Sequence, residues 1–195
     1  MPIAINGSGT VTGISVGGLP DGIVDTDMIA AKAATKPKLG NGAILQCLQT
    51  VKTDQFTVSA NASNFFDISG LSVDITMTAA SNKVLVLFTT TWTGNDGQRG
   101  SFRVRRGSTD IGVGDARGSR TRAFFGSIQT SSTNQCMPVA GQFLDTPGTG
   151  THTYKLQVGG ESGVGTLTVN SNQSDGDGND KFVGISTITV LEVAA

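Results

Sequence analysis

The strongest constraint on the fold is a strict alternation of apolar and polar side chains between residues 71 and 78. In Leu71-Ser72-Val73-Asp74-Ile75-Thr76-Met77-Thr78 every second residue is apolar, which is the period of a β-strand with one buried and one solvated face. Residues 153–158 and 167–169 alternate in the same way. Residues 84–88 and 183–193 have apolar side chains on both faces, which is typical of strands covered twice, by the rest of a sandwich or by a neighbouring subunit.

Turn-forming residues divide the rest of the chain into many short strand candidates. Glycine is frequent, at 27 of 195 residues, and charged residues make up only 15% of the chain, against roughly 25% in average globular proteins. The candidate strands are residues 43–50, 55–59, 64–68, 71–78, 83–92, 100–106, 122–129, 135–145, 151–158, 165–171 and 182–193. Regular short strands without a helical period predict a mainly β domain, an antiparallel β-sandwich of jelly-roll type.

The first forty residues differ in composition from the remainder. Short apolar stretches lie between turn formers, and residues 17–22 form a dense turn signal. An Asp-Thr pair can cap a short helix over residues 28–34, which would be marginally stable alone. We therefore expect residues 1–40 to be a small attachment module of short strands, a turn and a short helix, which orders against a partner or folds onto its own domain. Residues 41–195 are expected to form the β-sandwich head.

The expected compartment follows from the absence of targeting signals in this sequence. Residues 1–6 lack the basic start and apolar run of a secretory signal, and no window reaches the ~18 apolar residues of a membrane span. We therefore expect synthesis in a cytoplasm and no membrane insertion. In that reducing environment Cys47 and Cys136 are expected to be two buried free thiols rather than a disulfide.

Few residues offer catalytic chemistry. The single histidine, His152, falls in phase with Tyr154 on an apolar strand face, which favours a packed side chain over a catalytic base. No nucleophile elbow, phosphate loop or zinc-ligand spacing is present. Asp110 and Asp115 are a conceivable glycosidase pair, but the neighbouring arginines would lower their pKa values. We predict a protein that is not an enzyme and uses no cofactor.

Residues 175–180 begin like a calcium-binding loop, because oxygen-bearing side chains alternate with glycine. The sixth position is Asp180 where an EF-hand loop needs Gly, and the twelfth is Ser186 where a bidentate Glu is expected. We interpret this segment as a solvated turn. Asp175, Asp177 and Asn179 remain weak candidates for a different kind of metal site.

The charge distribution along the chain is uneven. All seven arginines fall within residues 99–122 against only Asp110 and Asp115, a local net of +5, whereas residues 161–195 have a net of −4. Guanidinium groups suit carboxylates and phosphates, so this region is a candidate site for an anionic cell-surface glycan or for the acidic segment of an adjacent subunit. A solvated charged strand and loop is the alternative. The residues are Arg99, Arg103, Arg105, Arg106, Arg117, Arg120 and Arg122.

Nucleic acid is not an expected partner. The net charge of the whole chain is only −1, which gives no general attraction to a polyanion. Phe102 alternates with the arginines as a core residue would, and no exposed aromatic platform for bases is visible.

Several segments resemble a known family. The start, Ile5-Asn6-Gly7-Ser8-Gly9-Thr10-Val11-Thr12-Gly13-Ile14-Ser15-Val16-Gly17-Gly18-Leu19-Pro20-Asp21-Gly22, resembles the N-terminal module of tail-fibre-like proteins of marine and cyanobacterial phages. The remainder is similar to their C-terminal heads, through Asp67-Ile68-Ser69-Gly70-Leu71, Ser81-Asn82-Lys83-Val84-Leu85-Val86, Gly150-Thr151-His152-Thr153-Tyr154 and Ile188-Thr189-Val190-Leu191-Glu192-Val193. This resemblance implies a virion β-sandwich, commonly homotrimeric, without catalytic residues. Long fibres have a shaft between base and head, and this chain has none.

We therefore expect a structural protein of a bacteriophage virion, assembled in the host bacterial cytoplasm. In this interpretation it is a fibre-like homotrimer that binds other virion proteins through residues 1–40 and exposes its head for host-surface contact, including host glycans. Loops 93–100, 107–121 and 171–181 are the expected contact loops. A capsid head fibre or decoration protein is the alternative, and a surface glycan hydrolase is a second one.

Overall fold

The computed structural model describes residues 4–5, 11–12, 39–61, 64–160 and 165–195. The chain divides into two compact units, Met1–Gly40 and Asn41–Ala195. In the first unit, strands β1 (Ala4–Ile5) and β2 (Val11–Thr12) pair antiparallel. The short helix expected over residues 28–34 lies outside the described residues.

The second unit is a β-sandwich, and every strand pairing in it is antiparallel. The described part of the chain contains no helix, so the prediction of a mainly β sandwich is confirmed. The strands are β3 (Ile44–Lys52), β4 (Phe56–Ala60), β5 (Phe65–Thr76), β6 (Lys83–Gly94), β7 (Arg99–Arg106), β8 (Thr109–Ile111), β9 (Phe125–Gln129), β10 (Met137–Asp145), β11 (Thr151–Gly160), β12 (Gly165–Val169) and β13 (Ser186–Val193).

The strands form two sheets. Sheet I has β10, β6, β13 and β3 in that order, and β12 and β4 continue it where β6 extends beyond β13. Sheet II has β5, β11 and β7 in that order, with both β8 and β9 paired to the remaining edge of β7. Since β8 and β9 share this edge, they are two collinear parts of one strand. Residues 112–124, between them, form a lateral segment at the side of the sandwich.

The pairing pattern is that of a jelly roll. With β8 and β9 counted as one strand and the small pair β4–β12 set aside, eight strands remain. The first pairs with the eighth (β3–β13), the second with the seventh (β5–β11), the third with the sixth (β6–β10) and the fourth with the fifth (β7–β9). A long antiparallel ribbon rolled into two sheets gives this order. The predicted jelly-roll type is therefore confirmed.

The alternation seen in the sequence sets the core, because inward residues of both sheets interdigitate. Aromatic rings fill the space between the sheets: the ring centroids of Trp92 and Phe102 lie 5.9 Å apart, and Phe88 meets Phe124 edge-on at 5.3 Å. Phe124 ends the lateral segment, so it anchors that segment to the core. Gly141 is needed here, since a Cβ at this position would lie 2.7 Å from both the Phe88 and Phe124 rings.

Two strand predictions differ from the structure. Residues 64–68 and 71–78 were expected to be separate strands, but β5 is continuous and has a large bulge in which residues 68–71 lie opposite Leu156 alone. Gly70 adopts a φ of 80° there, which is readily available only to glycine. Strand β8 was not expected, because three residues after a tight turn give almost no periodic signal.

The head has two distinct ends. At the entry end, Gly42 N–H donates to the carbonyl of Ala194 at 2.8 Å and Ala194 N–H donates to that of Ala43 at 2.9 Å, so the chain enters and leaves the head together. Loops 77–82 and 146–150 also lie at this end. Loops 95–98, 130–136 and 170–185 form the far end, and backbone hydrogen bonds join the three to one another.

Candidate functional site

The structure places the seven arginines in different environments. Arg103 and Arg105 point outward from sheet II, whereas the next residue, Arg106, points inward towards sheet I. Arg99 is exposed at the start of β7. The remaining three, Arg117, Arg120 and Arg122, are exposed on the lateral segment. Strand alternation therefore places Arg103 and Arg105 together on the outward side of β7 and sends Arg106 inward. Arg99 lies at the opposite end of the same strand, and the arginines of the lateral segment lie outside the strands.

Arg103 and Arg105 share one carboxylate on the outward side of sheet II. Arg103 Nη1 donates to Asp110 Oδ2 at 2.8 Å, and Arg105 Nε lies 2.9 Å from Asp110 Oδ1. The Arg103 guanidinium also stacks on the Phe65 ring, 4.1 Å from its centroid. Partial burial lowers the pKa of Arg103, and the charge of Asp110 opposes this shift. Asp110 is therefore held as a structural counter-ion, while Asp115 lies on the exposed lateral segment.

The same network continues across β11 to β5. Arg103 Nε donates to Gln157 Oε1 at 2.7 Å, and Gln157 Nε2 donates to Asp67 Oδ1 at 2.5 Å. Lys155 Nζ contacts the other oxygen, Asp67 Oδ2, at 2.5 Å. Burial acts to raise the pKa of Asp67, but the hydrogen bonds from Lys155 and Gln157 outweigh it and lower the pKa. We name this surface the charged face; its ionic members are Asp67, Asp74, Arg103, Arg105, Asp110 and Lys155.

Arg106 joins a buried cluster at the entry end. Its Nη1 donates to Asp145 Oδ2 at 2.6 Å, and the Tyr154 hydroxyl donates to the same oxygen at 2.7 Å. Burial, together with the hydrogen bond to Asp145, raises the pKa of Tyr154 far above its ordinary value. Because Asp145 ends β10 and the other two residues belong to sheet II, the cluster links the two sheets.

A second buried carboxylate lies on the inner side of sheet I. Glu192 is fully buried, and its Oε1 accepts hydrogen bonds from Thr78 N–H at 2.8 Å, Thr78 Oγ1 at 2.7 Å and Asn82 Nδ2 at 2.7 Å. Its Oε2 accepts one from Gln46 Nε2 at 2.6 Å. Burial would raise the pKa of Glu192, but the hydrogen bonds from Asn82, Thr78 and Gln46 lower it to about 2. Glu192 thus fixes loop 77–82 and β3 to the central strand β13.

The outward side of sheet I has a different character. The strand register sets its side chains in rows, and apart from Lys83 at the entry-end corner none of the outward residues of β3, β13, β6 and β10 is charged. We name this surface the uncharged face. Its rows are Leu144, Leu85, Leu191 and Cys47; then Gln142, Leu87, Thr189 and Gln49; then Ala140, Thr89, Thr187 and Val51; with Ile44 and Val193 at the entry end.

Four polar residues of the uncharged face are hydrogen-bonded in pairs, and the large apolar residues at its edges are open to solvent. Gln49 Nε2 donates to Thr189 Oγ1 at 2.7 Å, and the hydroxyls of Thr89 and Thr187 are 2.9 Å apart. The apolar side chains at its edges are strongly exposed: Ile44 48%, Leu144 47%, Val51 48%, and Ile185 at the far end 56%. A shallow depression of about 380 Å³ runs between β6 and β10.

The cysteines and the histidine are located as follows. Both cysteines are free thiols, as expected, but the expected burial is wrong for Cys47, which is exposed on the uncharged face. Cys136 is partly buried, and burial raises the pKa of its thiol. His152 is half-buried, with Nε2 3.0 Å from the carbonyl of Thr149 in its own loop.

The possible calcium loop lies at the far end. Asp175, Asp177 and Asn179 are exposed there, and the next carboxylate, Asp180, pairs with Lys181 at 3.1 Å. Within the described ranges, no group of three or more His, Cys, Asp or Glu side chains is placed to hold a metal ion. The part of the chain that the structure describes also contains no helix long and apolar enough to span a membrane.

Comparisons with known proteins show a weak structural similarity and no matching family. No protein-family model matches the chain, and no curated protein matches it. Among solved structures, the chain is similar to a chain of the "Structure of infectious bursal disease virus Gx strain", with a TM-score of 0.39 and 13% identity. The match covers 77% of this chain and 37% of that one, so this chain matches well under half of the length of that chain.

Proposed function

We propose that this protein is a non-enzymatic structural subunit of a bacteriophage particle, a fibre-like homotrimer attached through residues 1–40. Its head projects outward and contacts the host surface. The observation that supports this most directly is the polarity of the head. The segment that follows residue 40 enters at one end of the sandwich, beside Ala194, while three joined loops form the opposite end.

This polarity suits a projecting head, because a head that is held through its entry end would keep the far end free. Two of the loops expected to make contact, 93–100 and 171–181, lie together at the far end. The third, 107–121, does not join them: its first turn is at the entry end, residues 109–111 form β8, and residues 112–121 belong to the lateral segment. The contact surface in this proposal is therefore the far end alone.

The charge of the far end favours one class of host ligand. Its exposed acidic side chains, Asp96, Asp175, Asp177 and Asp180, outnumber the cations there, which are Arg99 and Lys181, the latter paired to Asp180. The exposed arginines of the lateral segment lie elsewhere. An acidic surface repels anionic glycans, so a glycan bound at the far end would be neutral.

The perturbed acid groups support a structural rather than a catalytic role. Glu192 and Asp67 each accept hydrogen bonds within the head, and Tyr154 donates its hydroxyl proton to Asp145. A catalytic acid or base needs an open position where a substrate proton can be reached. These groups instead connect strands to one another, which is what a stable virion head requires.

Gold-antibody labelling of intact particles in the electron microscope tests the proposal. One antibody should recognise residues 171–181 at the far end, and a second should recognise residues 1–20. We expect the first to label the end of the tail and the second to label only particles whose attachment contacts have been opened. First-antibody label over the capsid would instead identify a head fibre or decoration protein. Protein detected in the lysate but on no particle would overturn the virion role.

A further inference from the structure

The uncharged face has the features of a surface that another chain can cover. Four strands about 4.8 Å apart and eight residues long, at about 3.4 Å each, give it an area of roughly 500 Å². One of its three rows, Leu144, Leu85, Leu191 and Cys47, is apolar throughout, and the other two rows combine Leu87, Ala140 and Val51 with uncharged polar residues. Depletion of charged residues is also the main compositional signal of an interface core. The face therefore has the composition of a contact surface.

The charges of the head restrict what the cover is. The charged face of sheet II is not a suitable partner, because its ionic groups would have to be removed from water, at a cost of several kcal/mol each. A surface without charge is the matching partner, and the uncharged face of another copy provides one. Four of its polar side chains pair within each copy, Gln49 with Thr189 and Thr89 with Thr187, so these groups would keep their hydrogen bonds.

The rows of the face give the orientation. We infer that three copies of this chain pack around an axis parallel to the strands, so that the β10–β6 half of each uncharged face covers the β13–β3 half of the next. This rests on the proposed homotrimer and assigns its interface. Because the strands of the three copies run parallel to the axis, each row of one uncharged face lies at the same height as the same row of the neighbouring copy and contacts it. Leu144 then meets Cys47, Gln142 meets Gln49, and Ala140 meets Val51, so residues of like character are in contact at every level.

Cross-linking tests this arrangement, because Cys47 is an exposed native thiol. In the full chain with Cys136→Ser, the substitution Leu144→Cys places a second thiol on the opposite edge of the same row. A bis-maleimide that spans the ~10 Å between packed sheet faces should give covalent dimers and trimers on a denaturing gel. The matched control is Ser72→Cys on the charged face in the same background, which should give no trimer.

The cross-linking outcomes are decisive in both directions. A ladder that ends at three copies for Leu144→Cys, and not for Ser72→Cys, supports the inferred ring. A ladder that ends at two copies overturns the threefold arrangement, because a twofold axis along the strands would join the same row in a closed pair. No cross-link, or equal cross-linking of both variants, overturns the interface itself.

A charge introduced in the middle row gives an independent test. Gln142→Glu changes only an amide to a carboxylate at an exposed position, so the fold is retained, as circular dichroism can verify. At pH 7 the dissociation constant of the trimer, measured by sedimentation equilibrium, should rise by roughly a hundredfold or more. Near pH 4, where an ordinary glutamate becomes largely neutral, with a pKa of about 4.3, the trimer should return. Thr153→Glu on the charged face is the control and should behave as wild type.

Trimers of Gln142→Glu as stable at pH 7 as the wild-type trimers would overturn the interface. A wild-type full chain that sediments as a monomer at micromolar concentration would overturn it too. Neither result affects the antibody labelling, so a labelled tail with monomeric protein would leave the virion role standing while removing the interface. An unlabelled particle together with a trimeric protein would remove the virion role and leave the interface standing.

Discussion

The two sheets of the head distribute their charges in opposite ways. Sheet I has buried charged residues on its inner side, Lys52, Asp145 and Glu192, and almost none on its outward side. Sheet II has its other ionic groups outside, where five of them form a network through Gln157, and sends only Arg106 inward. The buried charges of sheet I fix strands and loops within the chain, whereas its outward side is left free of the groups that resist burial.

The difference is instructive because both faces are outward in the isolated head. Half-exposed ion pairs such as those of the charged face generally add about 0–1 kcal/mol each to stability. They also make that face costly to dehydrate. The hydroxyl and amide pairs of the uncharged face lack this cost. In this jelly roll the positions of the few charged residues thus distinguish the outer surface that stays solvated from the one that can be buried.

The largest effect is expected inside sheet I. In the folded protein the pKa of Glu192 is about 2, below its ordinary value of 4.5. Its stabilisation is therefore complete above pH 4.5 and is lost as the pH falls through about 2. The shift corresponds to roughly 3 kcal/mol. Glu192→Gln should lower the free energy of unfolding at pH 7 by about this amount, and the variant and wild-type curves should converge towards pH 2 in urea titrations. Parallel curves down to pH 2 would refute the role of this carboxylate.

The next effect concerns the cluster that links the sheets. Asp145→Asn should cost about 2–3 kcal/mol, because Arg106 loses its charged partner and Tyr154 its strongest acceptor. Tyr154→Phe removes only one hydrogen bond and should cost about 1 kcal/mol. Thermal unfolding of both variants measures the ratio of the two losses in stability. Equal losses would mean that the hydroxyl bond, and not the ion pair, connects the sheets here.

A smaller effect is expected on the charged face. Asp110→Asn leaves Arg103 and Arg105 without their shared carboxylate, but both are partly solvated, so the loss should be about 1 kcal/mol. For a chain of this size that corresponds to a fall in Tm of about 2–4 °C. The conservative Asp74→Asn, on the same face but with its side chain exposed, is the control and should leave Tm unchanged. A loss larger than that of Asp145→Asn would reverse the comparison between the two sheets.

The smallest expected effect is a difference in how the two faces respond to salt concentration. Raising sodium chloride from 0.1 to 1 M shortens the screening length from about 10 Å to about 3 Å. The contribution of the charged face to Tm should fall, so wild type and Asp110→Asn should become closer in stability. Association through the uncharged face should persist, because it depends on burial rather than on charge. Dissociation of the oligomer at 1 M salt would contradict the assignment of that face.

Much of the fold could be predicted from the sequence, because strand alternation depends on local residue order. Residues 71–76 alternate strictly and form a strand as expected, and the two-faced apolar segments 84–88 and 186–193 are the central strands of sheet I. The bulge in β5 could not be foreseen, since Gly70 resembles a turn signal whether a strand ends there or only widens. Short β8 depends on its pairing with β7 and not on its own residues.

The site residues were harder to place, because grouping in sequence is not grouping in space. Arg105 and Arg106 are adjacent in the chain, yet strand alternation sends them to opposite sides of sheet II. A strict reading of that alternation from Phe102 onward would have separated them. Nothing in the sequence around Cys47 indicates that β3 is an edge strand with this thiol outward, since that depends on pairing with β13, 144 positions away at Leu191.

The location of β13 has a consequence for the synthesis of the protein. This strand lies between β3 and β6 in sheet I, so the sheet stays incomplete until residue 193 has left the ribosome. Until then the nascent chain exposes two unpaired strand edges, which other chains can join. Folding should consequently be slow and late, as is usual when contacts join distant residues. Expression at lower temperature, or with chaperones that shield strand edges, should therefore raise the soluble yield more than substitutions on the surface.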